Sequence, residues 1–334
     1  MATQATAEKR PGFFPQLLEA LVRRQEAGIL VVSVGLILYF YLRNPAFLTQ
    51  GNIQTLAQFM AATAIVASGL VMVMILGEID LSVGQAFAFA PIVMWIAYDQ
   101  LLLVLPLAVV IGLLATAAVG LVNGVMRVFF GVPSFVATLG MFFLLGGLNV
   151  ILVAGFPKPA PEASWLKSAL GAYPYAGIMW ALVILAFMHV LLNYTRWGMH
   201  TFATGGNFIG AREAGIRVDR IRIGNFMLCS MLGGFAGILE AMRINSIDPL
   251  AGGAEIMFLA ISAAVIGGTP LAGGIGTVFG AFLGALALSV LRNGFTLQGV
   301  SAFTFNVILG ITVLIVMVLN VYVITRLRKG RRVT

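Results

Sequence analysis

The chain has 334 residues, of which 60% are hydrophobic and only 10% charged, with a formal net charge of +8. A soluble domain is about 45–50% apolar and about 25% charged, so an all-aqueous fold is excluded: the chain lacks the polar surface to cover such a core. The basic excess does not indicate nucleic-acid binding, because the lysines and arginines are confined to short segments between apolar blocks, the pattern that orients membrane helices.

In the N-terminal tail, residues 1–27, Leu17, Leu18, Leu21 and Val22 define one face of a short interfacial helix. The tail does not read as a cleaved signal. The first apolar block follows Arg23, Arg24 and Glu26, ends in Tyr39-Phe40-Tyr41 and lacks a small-x-small cleavage site. Ten apolar stretches follow, at about 28–43, 53–76, 82–98, 102–127, 133–154, 176–194, 223–243, 256–267, 275–291 and 303–325. A spanning helix needs about 20 residues, and helices are required because an unpaired backbone amide in hydrocarbon costs several kcal/mol. The eighth stretch is too short for a full span; it is either a tilted fragment extended by Gly253–Glu255 or a half-helix.

With ten spans and a cytoplasmic N-terminus, Arg43, Lys158, Lys167, Arg243 and Arg292 fall outside, and the rest of the 20 basic residues fall inside. Lysine and arginine near helix ends set orientation, so both termini are expected in the cytoplasm. The expected fold is therefore an all-α membrane protein with one domain over 28–325 and a basic tail at 326–334. Loop 155–175 carries Pro157, Pro159, Pro161 and Pro174 and is expected to be a stiff, extended outer cap. The longest polar interruption, 194–222, is cytoplasmic in this arrangement.

Gly77-Glu78-Ile79-Asp80-Leu81-Ser82-Val83-Gly84 echoes Gly267-Gly268-Thr269-Pro270-Leu271-Ala272-Gly273-Gly274. This is either an internal duplication or the common likeness of glycine-rich turns. Asp80 and Ser82 suit the N-cap of the third helix as well as they suit a gate. Pro133 suits the first turn of the fifth helix. Phe135, one turn in beyond Ser134, either plugs a cytoplasmic exit or packs as an ordinary aromatic. In loop 194–222, Asn207 is the expected N-cap of a short helix and Gly215 its left-handed stop. That helix is either a contact for a soluble motor or a surface helix keeping the loop in water.

These segments, with Val132-Pro133-Ser134-Phe135-Val136-Ala137-Thr138-Leu139-Gly140-Met141, resemble the ribose/xylose/galactose-type permeases of bacterial ATP-binding-cassette sugar importers. Arg292-Asn293-Gly294-Phe295 and Gly299-Val300-Ser301 extend the likeness, which runs in order from about Asn44 to the end of the last helix. The resemblance implies an importer permease fold in the bacterial inner membrane and a homodimer or paired permease, a second copy of this chain in the first case. It also implies a tandem-cassette ATPase on the cytoplasmic face and a periplasmic sugar-binding protein outside. By the same likeness Gly206, Asn207, Ala211, Arg212, Gly215 and Ile216, with Glu213 and Arg217 beside them, match the coupling helix that docks into the ATPase. Glu78, Asp80, Ser82, Pro133, Ser134 and Phe135 are the cytoplasmic gate candidates. Two departures stand out: Glu78, where many relatives carry glycine, and Phe208-Ile209-Gly210, where small polar residues are common. The implied mechanism is alternating access, with selectivity set largely by the binding protein, so the sugar or polyol is not named by this chain.

Polar residues within the spans are few: Asn123, Asn149, His189, Asn225, Glu240, Asn293 and Asn306. Glu240 and Arg243 lie three apart on one helical face, either lining a water-filled path or pairing with each other. Asn123, Asn149 and Asn293 join them as path candidates, the asparagines suiting helix–helix hydrogen bonds equally well. His189, near a helix end, is expected to be structural. Gly276, Gly280 and Gly284, Gly120 and Gly124, and Gly233 and Gly237 are small-xxx-small steps for close helix packing.

None of the four lysines, Lys9, Lys158, Lys167 and Lys329, follows glycine, so no phosphate-binding loop is present. ATP and Mg are expected in a partner and no cofactor in this chain. No metal constellation or paired catalytic carboxylates argue for an enzyme. Cys229 is the lone cysteine, which excludes an internal disulfide and a cysteine metal site. The competing reading is an ion-coupled secondary carrier of a small polar solute, which needs buried carboxylates for its ion; Glu240 is the clear candidate.

Overall fold

The computed structural model describes residues 25–162 and 165–301, with scattered helical positions between 304 and 318. Eleven helices follow in order: α1 (Gln25–Arg43), α2 (Gln50–Ile75), α3 (Val83–Trp95), α4 (Leu105–Val128), α5 (Ser134–Leu152), α6 (Ala176–Tyr194), α7 (Arg196–Gly206), α8 (Phe208–Glu213), α9 (Val218–Ile244), α10 (Gly253–Ile266) and α11 (Val278–Leu297). Two short strands, β1 (Lys158–Pro159) and β2 (Ser246–Ile247), pair antiparallel. Among the described residues seven helices, α1, α2, α4, α5, α6, α9 and α11, are long and apolar enough to cross a bilayer. The tenth expected span is described only at the scattered positions, and the interfacial helix at 17–22, Asn306 and the tail 326–334 lie outside the described residues.

Sequence and burial sort these helices into layers. The apolar windows of α2, α11 and α9 are 83%, 67% and 61% buried, whereas those of α5, α1 and α6 are only 17–22% buried. Helices apolar on all sides at the rim of a bundle need lipid around them. Phe143, Ile151 and Phe187 are among the large side chains that α5 and α6 leave exposed. The centre is assembled by backbone contact. A Cβ on Gly120 would overlap the Phe226 carbonyl, and one on Gly237 the Phe87 carbonyl. Gly280 and Gly284 meet Gly267 and Ala263 in the same way, so the small-residue steps do act as scaffold.

Two helices begin inside the bundle. Val83 packs on Gly233 and Phe87 on Gly237, well within the 27-residue α9, so α3 starts beside the middle of that helix. Gly84 then lies against the Gly253 carbonyl, which places the start of α10 at the same level. At 14 residues α10 is roughly 21 Å long, short of the ~30 Å hydrocarbon core: a half-helix, extended back to Gly253. The 13-residue α3 is lengthened by a π-helical turn, Ile96–Gln100. The Gly274 amide donates to the Ile75 carbonyl at 2.8 Å, which brings the glycine-rich segments after α2 and after α10 together at one end of the bundle.

The other end carries the β1–β2 pair. The loop expected to be extended throughout is so only in its first part. From Trp165 it coils into two helical turns, Trp165–Lys167 and Ser168–Ala172, that bury Leu170 and seat Gly171 on the α9 backbone at Leu239. The turns fall between Pro161 and Pro174, in the part of the loop that carries no proline, and burial of Leu170 favours them.

Overpacking a backbone contact of this kind costs about 1–3 kcal/mol. Gly237→Val is expected to lower the thermal unfolding midpoint of the detergent-purified protein by several degrees. Gly147→Ala, whose methyl would meet nothing within 4 Å, leaves the midpoint unchanged or slightly raised.

Candidate functional site

At the hairpin end, α2, α9, α10 and α11 surround a cavity of about 250 Å³. Its wall carries Gln58, Glu240, Arg243, Asp248, Glu255 and Arg292 together with Phe59 and Phe87. Charges inside a membrane protein are costly unless paired or wet. Arg243 forks onto Glu240, with Nη2 2.6 Å from Oε1 and Nε 2.8 Å from Oε2, and its Nη1 donates to Gln58 Oε1 at 3.2 Å. Across the cavity, Arg292 of α11 pairs with Glu255 at 2.7 Å and lies 4.9 Å over the Phe59 ring. Glu255 sits in the first turn of α10, where the helix dipole favours a carboxylate.

The sequence left path and pair as alternatives for Glu240 and Arg243; the two residues pair and also line the cavity. Its inner lining includes Phe87 and Gly252, beside the meeting point of the α3 and α10 N-termini. Four of its five charged groups form ion pairs, and the lining supplies donors, acceptors and aromatic faces. Such a wall suits a neutral solute rich in hydroxyls better than an ion.

The gate candidates gather at the opposite end, between α2 and α3. Asp80 is fully buried; it accepts from the Ser82 amide at 2.9 Å, the Ser82 hydroxyl at 2.6 Å and the Ser230 hydroxyl at 3.1 Å. Ser82 occupies the N-cap position of α3 but makes no side-chain cap bond, a correction to its expected role: its hydroxyl is committed to Asp80 and to Asn123, whose Nδ2 donates to it at 2.8 Å. Ser134 Oγ accepts from the Ile79 amide at 3.2 Å, and Pro133 is the N-cap of α5, one residue ahead of the expected first turn. Phe135 is 53% exposed rather than buried in the core. Glu78 is buried between Arg127, at 2.7 Å, and Arg222, at 3.4 Å.

The remaining path candidates do not meet at the cavity. Asn149 donates to the Gln85 carbonyl and side chain at 3.1 and 3.2 Å. Asn293 exchanges amide hydrogen bonds with Asn52, both 2.8 Å, and so locks α11 to α2. His189 contacts Asn193 one turn on, as suits a structural histidine.

The 194–222 loop holds two helices rather than one. α7 is tied to α9 by Trp197 Nε1, which donates to Asn225 at 2.7 Å, and Asn225 in turn donates to the Met72 carbonyl of α2 at 3.2 Å. Gly205 sits against the Ile75 carbonyl with no room for a Cβ. α8 has the expected ends. Asn207 Oδ1 caps the Gly210 amide at 2.9 Å, and Gly215 at φ 82° closes a Schellman turn through Gly215 N to Arg212 O and Ile216 N to Ala211 O, both 3.0 Å. Ala211 is buried, while Gly206, Arg212, Glu213 and Arg217 are exposed and Ile209 is 69% exposed, so α8 presents a mixed polar and apolar face outward.

Several cavity and gate residues carried no local signal: Gln58, Phe59, Asp248, Glu255, Arg127, Arg222 and Ser230. Arg127 and Arg222 are legible in the sequence only as charges that set orientation, and Arg292 only as such a charge and as part of the Arg292–Phe295 stretch, because their partners are remote in the chain.

Removing one member of a fully buried ion pair costs about 3–5 kcal/mol. The Arg243 and Glu240 side chains stay 30% and 27% exposed, so Arg243→Met is expected to lower stability by only about 1–2 kcal/mol. Thermal unfolding in detergent checks this, and adding Glu240→Gln should restore part of the loss.

A match to the family described as the permease component of branched-chain amino acid transport systems covers residues 52–317. The chain is 36% identical to the xylose/arabinose import permease of Sulfolobus acidocaldarius, over 90% of this chain and 86% of that protein. It is 34% identical to the ribose import permease of Escherichia coli, over 88% and 93% of the two chains. It is 30% identical to the galactose/methyl galactoside import permease of Salmonella typhimurium, over 86% and 91%. No solved structure matches the chain. The matched span takes in the gate segment, the cavity and the α7–α8 loop, and the chain belongs to this family of multi-pass transport permease components.

Proposed function

We propose that this chain is the membrane-spanning permease subunit of an ATP-binding-cassette importer that carries a monosaccharide or related polyol across the bacterial inner membrane. One observation carries the reading: relatives named as import permeases for pentoses and hexoses align over 86–90% of the chain, across cavity and loop alike. The chain is a transport subunit and not an enzyme; ATP and Mg belong to a tandem-cassette ATPase. Ten spans with both termini cytoplasmic place the α7–α8 shelf on that ATPase and the charged cavity on the outer side. There a periplasmic binding protein delivers sugar. Two copies of the permease form the pathway, which opens to one side and then the other.

The cavity supports this reading by its chemistry. Paired guanidiniums and carboxylates offer sugar hydroxyls both donors and acceptors, and Phe59 and Phe87 supply apolar faces for the ring carbons. The α8 helix supports it by its shape: a rigid, capped element outside the spans, tied through α7 to α2 and α9, transfers displacement better than a free loop would.

The test is uptake of xylose, ribose and galactose by vesicles holding the permease with a tandem-cassette ATPase and a sugar-binding protein from the same source. Uptake should follow ATP and persist when ion gradients are collapsed. Uptake that tracks an ion gradient and ignores ATP overturns the proposal in favour of a secondary carrier. Arg212→Ala, and Gly215→Val, which puts a β-branched residue at positive φ, should abolish most ATP-driven uptake at normal membrane insertion. Full uptake by both variants removes α8 from the docking role.

A further inference from the structure

The cluster around Glu78 lies apart from the cavity, yet it joins two elements that the transport cycle must move together. The Glu78 side chain is only 5% exposed and receives two guanidiniums, Arg127 from α4 and Arg222 from α9. These contacts are unequal. Arg127 Nε makes a short bond at 2.7 Å, while Arg222 Nη2 stands off at 3.4 Å. Arg222 Nε is buried without a hydrogen-bond partner among the described residues. The Cζ of the same guanidinium lies over the Phe208 ring, 4.2 Å from its centroid. Phe208 is the first residue of α8, directly after the capping Asn207.

Arginine can hold both neighbours at once because its edge serves a carboxylate and its flat face serves a ring. A side chain with one long ion contact and one idle buried donor has a second arrangement within reach. In it, Nε and Nη2 both engage Glu78 in a fork, and the stack on Phe208 changes. Glu78 is two residues from Asp80, which holds Ser82 and Ser230, and next to Ile79, whose amide is held by Ser134. A shift of Glu78 therefore reaches α3, α5 and α9 together.

We infer that Arg222 is a positioning residue that transmits displacement of α8 to the 77–82 segment, through its stack on Phe208 and its pairing with Glu78. This rests on the reading of α8 as the ATPase-docking helix.

The experiment uses the full complex in nanodiscs with a spin label at Phe135→Cys, an exposed position beside Ser134; the native Cys229 is buried and does not compete. The label is read with and without MgATP, and docking is read separately by cross-linking Ile209→Cys to the ATPase. The expected result is a nucleotide-dependent change at the label that falls at least about fivefold in Arg222→Met and in Phe208→Leu while the cross-link forms as in wild type. Phe208→Leu leaves the buried ion cluster intact, so the test survives if Arg222→Met fails to fold. Arg222→Lys keeps a charge beside Glu78 but lacks the planar face; it should fold and cross-link normally and still give a weakened response. An undiminished response in Arg222→Met or Phe208→Leu, or no response in wild type, with the cross-link present, overturns the linkage alone. Absence of the wild-type cross-link overturns the docking reading and the linkage with it.

Discussion

A helix that starts inside a membrane protein exposes amide donors where no bulk water can satisfy them, and this chain has two such starts side by side. The contact between Gly84 and the Gly253 carbonyl sets the spacing of α3 and α10: a Cβ on Gly84 would overlap that carbonyl, and Gly253 is held at a positive φ of 51°. Asp80 accounts for much of the polar need at α3 by taking the Ser82 amide along with the Ser82 and Ser230 hydroxyls. Glu255 adds negative charge in the first turn of α10, and Arg292 neutralises it. The gate segment and the cavity are thus consequences of one constraint: each half-helix needs polar company at its N-terminus, and that company comes with counter-charges and space.

The same constraint separates the chemistry of the two ends. On the gate side, polar side chains are buried and densely bonded, with Asp80, Ser82, Asn123 and Ser230 in one network. Networks of this kind hold one geometry until something displaces a member. On the hairpin side the ion pairs stay partly exposed and face open volume, so a polar solute can exchange hydrogen bonds with them at lower cost.

Much of this was legible in the sequence, and what was not had a physical reason. Long apolar runs announced the spanning helices, and the short eighth run announced α10, because hydrophobic length is a local property. The α8 caps were readable at Asn207 and Gly215 for the same reason: a cap acts within a few residues of itself. Glu240 and Arg243 share a helical face, so their pairing was visible as one of two alternatives. By contrast, the partner of Asn293 is Asn52, and that of Arg292 is Glu255, choices made by packing between helices remote in sequence. Ser82 looked like a cap by type and position, but tertiary partners claimed its hydroxyl. Loop 155–175 was read from its prolines, and the burial of Leu170 against α9 could not be seen without α9 in place.

The two places where the sequence departs from the pattern it resembles, Glu78 and Phe208, are far apart in the chain and meet across a single guanidinium. Taken singly, each looks like a local variation: an unexpected carboxylate in the 77–82 segment, an unexpected ring at the start of α8. Together they are chemically dependent on Arg222. Without Glu78 the Arg222 charge would lose its carboxylate, the compensation a largely buried guanidinium requires. Without Phe208 its flat face would lose the ring it stacks on, leaving only the longer of the two ion contacts. A carboxylate, a guanidinium and a ring that fit one another in this order form a connection between α8 and the buried 77–82 segment that neither helix propensity nor hydropathy would disclose.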